Sequence, residues 1–425
     1  MTSTYEPQAP HTGNPARRPR IAVLSVHTSP LAEIGGGSAG GMNVYVRELC
    51  QALGARGYAL DVFTRRASEA TPEVQPFGPN VRVVTIDAGP PANIAKDAIA
   101  ANLAGFEHGV LAFIRREGLT YDMISSHYWM SGVVGLRLAE RWHVPHVAMF
   151  HTLGEVKNRA RTTEHEPPAR INAERDIAAG AGAIIVASDH EKHLLTSLYG
   201  ADPAKIAVVP CGVDLDLFTP IEKEVARHRL GLKEGERIIL FVGRIEPLKG
   251  IDILIGAAAQ LHDDENFRVL IVGGDAGALD QINELRALAQ RLDVDHHLFF
   301  VGAVDHGQLP LYYNAADVCV VPSFYESFGL VAIESMACGT PVVASRVGGL
   351  ASTILDGETG YLISWRCPEP FAERLELLLD NDELRASFGR TAREAVERYR
   401  WANVASAVSA LYQSLLAAKS PASAD

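Results

Sequence analysis

From about residue 21 onward, short apolar runs alternate with longer stretches of helical period. The run 21–26 is apolar and rich in β-branched residues, which predicts a strand buried on both faces. A glycine-rich stretch follows, then a helical pattern over 43–53. Runs 60–64 and 81–86 predict the next strands, 97–117 a helix, and 123–125, 147–150, 183–186 and 206–209 further strands. This alternation predicts an α/β fold with a mostly parallel sheet covered by helices on both faces. The pattern then restarts. Strands are expected over 237–242, 269–272, 298–301, 318–321 and 341–344, with helices over 281–292 and 330–337. The Pro-, Gly- and Asp-rich stretch 211–220 separates the halves. The expected organisation is a disordered tail over 1–19, one α/β half over 20–213, a second over 214–400, and a terminal segment over 401–425. The helical part of that last segment, 401–418, is expected to pack back across the domains.

A chain of 425 residues suits two such domains. The net charge of −12 argues against a nucleic-acid binder, which needs a basic face. It also means that an anionic ligand must be held by a few local cations and backbone N–H groups. Cys50, Cys211, Cys319, Cys338 and Cys367 are scattered without a CxxC pair and read as small hydrophobes, most of them buried. No apolar run reaches the roughly 18 residues of a transmembrane helix, and the first residues lack the apolar core of a signal peptide. A cytoplasmic location is expected.

The stretch 35–41, GGGSAGG, precedes a helix start. Backbone N–H groups at such a start attract phosphate, and glycine allows close approach. The stretch also matches GxGxxG, with Asp61 about 20 residues on, where a dinucleotide fold carries its ribose-binding acid. An NAD(P)-dependent oxidoreductase is therefore an alternative. The long segment 27–34 between strand and glycines weighs against it, because a dinucleotide turn begins at the strand end. Asp214-Leu215-Asp216 spells a DxD motif but reads as turn chemistry.

The second half holds the sharper signal. GRIEPLKG (243–250) follows a predicted buried strand and places Arg244 and Lys249 five residues apart on one loop, a pair suited to a pyrophosphate. The segment 322–334 leaves another buried strand. Glu326 lies on its loop and Glu334 about one turn into the next helix, so both face one cleft and can accept hydrogen bonds from sugar hydroxyls. Gly329 and Leu330 offer free helix-start N–H groups to a phosphate.

GRIEPLKG, ESFGLVAIE and GTPVVASRVGG together resemble the retaining GT-B glycosyltransferases of the group that includes sucrose-phosphate and mannosyl transferases. The resemblance implies two facing Rossmann-like domains with an interdomain cleft, a nucleotide sugar held mainly by the second, and no essential metal or cofactor. HTSP (27–30), GGMNVYVREL (40–49), SHYWMSG (126–132) and HTLGEVKN (151–158) resemble the mycothiol-pathway inositol-phosphate N-acetylglucosaminyltransferases within it. On that resemblance Lys96, Tyr128, Thr152 and Arg170 hold an acceptor phosphate, and His27 and Asn43 touch the acceptor. Gly41, Arg244, Lys249, Val304 (through its backbone), Glu326 and Glu334 hold the UDP-sugar, and His151 hydrogen-bonds its sugar. The chain departs from the family at Ser38, where an acid is usual. The implied partners are a UDP-sugar and a phosphorylated acceptor; a homodimer is left open. A hexose-phosphate acceptor and a non-catalytic sugar-nucleotide-binding module are the other readings.

Overall fold

The structure, a computed structural model, describes residues 18–32, 40–160, 165–233, 235–261, 266–274 and 276–419. Most of the 1–19 tail and of the glycine stretch 35–41, including Ser38, lies outside the described residues. Two sheets carry the fold. The first has eight strands: β1 (Arg20–Leu24), β2 (Ala59–Arg65), β3 (Val74–Gly78), β4 (Val81–Ile86), β5 (Met123–His127), β6 (His146–Met149), β7 (Ala183–Val186) and β8 (Ile206–Val208). They are ordered β3-β4-β2-β1-β5-β6-β7-β8. The second sheet has six: β9 (Arg237–Val242), β10 (Phe267–Val272), β11 (Leu298–Gly302), β12 (Val318–Val321), β13 (Val342–Ser345) and β14 (Gly360–Ile363). Its order is β11-β10-β9-β12-β13-β14. Every pairing is parallel except β3 with β4. These are two Rossmann-like α/β domains.

The strands the hydrophobic runs predict are all present. β3 and β14 are additions. β3, VQPFG, is a partly exposed antiparallel edge that tolerates Pro76, so it carries no apolar run. The expected helix 97–117 is two, Lys96–Ala101 and Leu103–Glu117. Asn102 interrupts it, its side-chain amide donating to the Ala98 carbonyl and offering the backbone an alternative partner. Asp214 confirms its turn role by accepting the N–H groups of Asp216 and Leu217. Four cysteines are buried, and Cys367 is intermediate.

The terminal helix, Trp401–Lys419, packs on the first domain. Tyr58 Oη lies 2.8 Å from Ser409 Oγ, Arg56 donates to the Ala402 carbonyl, and Trp401 meets Tyr45 edge-on at 5.6 Å. The two interdomain crossings touch: Val213 donates to Tyr399 at 2.8 Å. Among the described residues, no helix is long and apolar enough to cross a membrane.

The dinucleotide alternative fails at Asp61. It lies early in β2, opposite Ala22, with its side chain 2% exposed between Arg20 (3.0 Å) and Arg82 (2.6 Å), and it accepts the Tyr121 hydroxyl. This is a closed structural ion cluster at the opposite edge of the sheet from a cofactor's ribose.

Candidate active site

Parallel strands bring their C-terminal ends to one edge, and the candidate residues follow those ends directly. In the first domain Tyr128 follows β5 and His151 lies two residues past β6. Both hold left-handed backbones, φ 74° and 60°, a conformation that costs non-glycine residues about 1–3 kcal/mol and clusters at functional sites. His27, in the loop after β1, packs against Tyr128 with ring centres 4.5 Å apart and the rings tilted by 44°. Burial, with Lys96, Arg170 and Arg244 adding to it, pushes its imidazole down to about 3, and its Nδ1 has no partner. His127 Nδ1 lies 3.0 Å from His151 Nε2. Burial depresses His127 to about 3 and His151 well below its usual value. Both are neutral at pH 7, one donating to the other, so neither is a ready general acid.

Lys96, Tyr128, Thr152 and Arg170 come from four segments and meet. Arg170 lies on the helix Pro168–Gly180 with its side chain 1% exposed. Its guanidinium bonds Glu174 (2.7 Å), Tyr128 Oη (3.1 Å), and the carbonyl and hydroxyl of Thr152 (2.9 and 3.0 Å). Glu174 also accepts the Gly154 N–H and the Tyr199 hydroxyl, so the cluster is braced from behind. Lys96 Nζ sits 5.8 Å from the Tyr128 ring centre and Arg170 Cζ 4.9 Å, two cations against one aromatic ring. Desolvation, then Arg244 and Lys157, lowers the Lys96 ammonium below its ordinary value. Glu166 pairs with Arg170 at 2.9 Å and with Lys157. Burial pushes the Glu166 carboxyl up, but Arg170 and Lys157 outweigh it and hold it low. The cationic cluster thus carries a carboxylate of its own.

In the second domain Arg244 follows β9 and pairs with Glu246 at 2.5 Å, half-exposed to the cleft. Lys249 reaches Glu326 at 2.7 Å. Glu334 is 6% exposed and held at both oxygens, by His306 Nε2 (3.0 Å) and Tyr313 Oη (2.8 Å). Desolvation pulls His306 down, but Glu334 outweighs it and raises the imidazole above its ordinary value. Gly329 (φ 94°) caps the helix Leu330–Ala337, leaving first-turn N–H groups toward the cleft. Gly348 (φ 50°) presses on the same loop: a Cβ there would lie 1.8 Å from the Glu326 carbonyl.

The domains meet closely. A Cβ on Gly41 would be 2.8 Å from Leu330, and Ser327 donates to the His151 carbonyl across the cleft. Between them lies a cavity of about 340 Å³ lined by every candidate residue except Asn43. Asn43 is 1% exposed, its amide donating to Thr28 Oγ1 (2.7 Å) and the Ser29 carbonyl while its oxygen takes the Gly40 N–H. It shapes the loops that bear His27 and Gly41. Lys157, His306, Tyr325 and Ser327 also line the cavity and were not singled out in the sequence. His306 follows a predicted strand by a short loop, which is the signal that could have found it. A groove of about 780 Å³ lies at the opposite edge of the second sheet, near Arg237 and Asp317. Asp317 there is already paired with Lys223 (2.7 Å) and Arg227 (2.8 Å), so the groove offers no unmatched charge of its own from that pair. The trio Asp293, Asp295 and His296 has metal-ligand spacing among the described residues, is exposed, and lies outside the cavity lining.

Residues 222–395 match the family model described as Glycosyl transferases group 1, and residues 39–217 match Glycosyltransferase Family 4. D-inositol 3-phosphate glycosyltransferase 2 of Catenulispora acidiphila is 44% identical over 405 residues, 92% of this chain and 94% of that one. D-inositol 3-phosphate glycosyltransferase of Corynebacterium glutamicum is 40% identical, covering 94% and 97%. The solved sucrose-phosphate synthase from Thermosynechococcus elongatus superposes with a TM-score of 0.88 at 37% identity, over 94% of this chain and 100% of that one.

Proposed function

Because this chain belongs to the GT-B glycosyltransferase family of these relatives, we propose that it moves N-acetylglucosamine from UDP-N-acetylglucosamine to an inositol phosphate, retaining the anomeric configuration. One observation carries the reading. The Lys96–Tyr128–Thr152–Arg170 cluster and the Arg244–Lys249 pair line opposite walls of a single cavity. Two separated cationic centres suit two phosphorylated substrates, and the relatives' names supply the acceptor.

Arg244 and Lys249 would take the diphosphate, with the Gly329–Leu330 N–H groups stabilising charge on the leaving phosphate. Glu334 would accept the ribose hydroxyls and Glu326 those of the transferred sugar. With His127 and His151 neutral, neither of them is poised as an acid. The acceptor hydroxyl would attack from the face the UDP leaves, its proton passing to the departing β-phosphate. On this reading the cations replace a metal, and activity survives EDTA.

The sucrose-phosphate synthase likeness favours a second reading, a hexose-phosphate acceptor. UDP release over a matrix of donors and acceptors separates them. UDP-N-acetylglucosamine with inositol 1- or 3-phosphate should outpace both unphosphorylated inositol and UDP-glucose with fructose 6-phosphate. No advantage from the inositol phosphate group overturns the acceptor assignment; anomeric NMR couplings of the product test retention.

A further inference from the structure

Two three-residue segments interlock across the cleft. On the first domain, His151, Thr152 and Leu153 follow β6; on the second, Tyr325, Glu326 and Ser327 follow β12. The middle residues face the two substrates' sites: Thr152 bonds Arg170 and Glu326 bonds Lys249. The outer residues bond one another. Ser327 gives its proton to the His151 carbonyl, and Ser327 Oγ lies 3.0 Å from Tyr325 Oη. Burial raises the Tyr325 hydroxyl, and against it the Leu153 backbone N–H favours the ionised form. A hydroxyl carries one proton. Ser327 has given its own to His151, so Tyr325 donates to Ser327. Three groups form one directed chain, Tyr325 to Ser327 to the His151 carbonyl, with the Leu153 N–H acting on its first member.

The geometry points to Tyr325 and Ser327 as positioning residues: they clasp the His151–Leu153 backbone and so set both the closed cleft and the left-handed His151. His151 at φ 60° pays a backbone cost that its own helix or sheet does not repay, since it belongs to neither. The clasp supplies a cross-domain hydrogen bond to that turn, from Ser327 to the His151 carbonyl, with Tyr325 holding Ser327 from behind. It also ties the loop bearing Glu326 to the residue before Thr152, so the donor and acceptor walls keep one spacing. Loosening it would leave each wall intact and misplace one against the other. Water would then compete with the acceptor for the activated donor.

The inference rests on the cleft being the transfer site, and its test has one arm that does not. Full-length Ser327→Ala, Tyr325→Phe and Ser327→Thr are compared with the parent. The first arm is hydrogen exchange of the Leu153 amide with UDP present. Exchange should accelerate about tenfold in Ser327→Ala and Tyr325→Phe, the worth of one lost hydrogen bond, and return in Ser327→Thr. The second arm is the ratio of donor hydrolysis to transfer, with UDP-N-acetylglucosamine and inositol 3-phosphate. That ratio should rise several-fold in Ser327→Ala while UDP affinity stays within about threefold, because no donor contact is removed. Parent-like exchange in folded Ser327→Ala overturns the clasp, as does a parent-like ratio. If the parent itself transfers nothing to inositol 3-phosphate, the acceptor assignment falls, and exchange together with donor hydrolysis alone decides the clasp.

Discussion

The two walls of the cleft are built differently. The second-domain wall is made from strand ends: Arg244, Glu326 and Gly329 lie on the loops that leave β9 and β12, and Gly348 allows a backbone to lie against Glu326. The first-domain wall is made from side chains: Arg170, Glu174, Tyr128 and Tyr199 form a buried network that gathers residues from separate segments. Each wall carries an internal anion on a cation, Glu326 on Lys249 and Glu166 on Arg170. The difference predicts how each fails. A wall of loops loses chemistry when one cation is lost; a wall of side chains loses structure first.

The sharpest break is on the network side. Glu174→Ala leaves buried Arg170 with Glu166 as its remaining carboxylate and strips the Gly154 N–H and the Tyr199 hydroxyl of their acceptor, so a loss of about 3 kcal/mol is expected, the low end for breaking a buried pair. Thermal or urea unfolding should register that loss, and a marginal change would mean the cluster relaxes into solvent. On the loop side, Arg244→Ala should leave the melting temperature near the parent's and cut kcat roughly a hundredfold. Near-parent turnover would remove Arg244 from the leaving-group site.

A third test concerns Glu191, 3% exposed, with Oε2 taking the Ala187 N–H and Oε1 unpartnered. Burial raises its carboxyl to about 7. The folded state therefore binds this proton more tightly than the unfolded chain. The associated stability is full below the unfolded value and is lost as pH rises towards about 7. Glu191→Gln should gain on the parent across that window, by on the order of 1–3 kcal/mol, and level off above it. A pH-independent difference would deny the shift. The smallest effect is expected from Glu166→Gln. Removing the resident anion should tighten inorganic phosphate binding a few-fold, measured by calorimetry; weaker binding would make Glu166 a brace and not a competitor.

The same difference explains what the sequence made legible. Strand-end cations and carboxylates on glycine-closed loops are contiguous in sequence, so Arg244, Lys249, Glu326 and Glu334 could be found from residue type, run and spacing. Lys96, Tyr128, Thr152 and Arg170 came only through resemblance, because their meeting depends on strand order and on Glu174, which nothing local marks. Asn43 lies outside the cavity lining and gives its hydrogen bonds to the loops that bear His27 and Gly41. His306 was hidden because its significance is Glu334, 28 residues away. The missed β3 and β14 are short or exposed, and apolar periodicity has little to grip there.

The terminal helix sets an order of completion. Tyr58 and Tyr45, both in the first domain, find Ser409 and Trp401 only when the end of the chain arrives. At about 5–20 residues per second, the roughly 190 residues between Val213 and Trp401 take some ten to forty seconds to synthesise. During that interval the nascent first domain presents an uncovered apolar seam along the helix Gly41–Ala55, although all of its own strands are already made. The first domain's packing is thus completed only by a segment that follows the whole second domain.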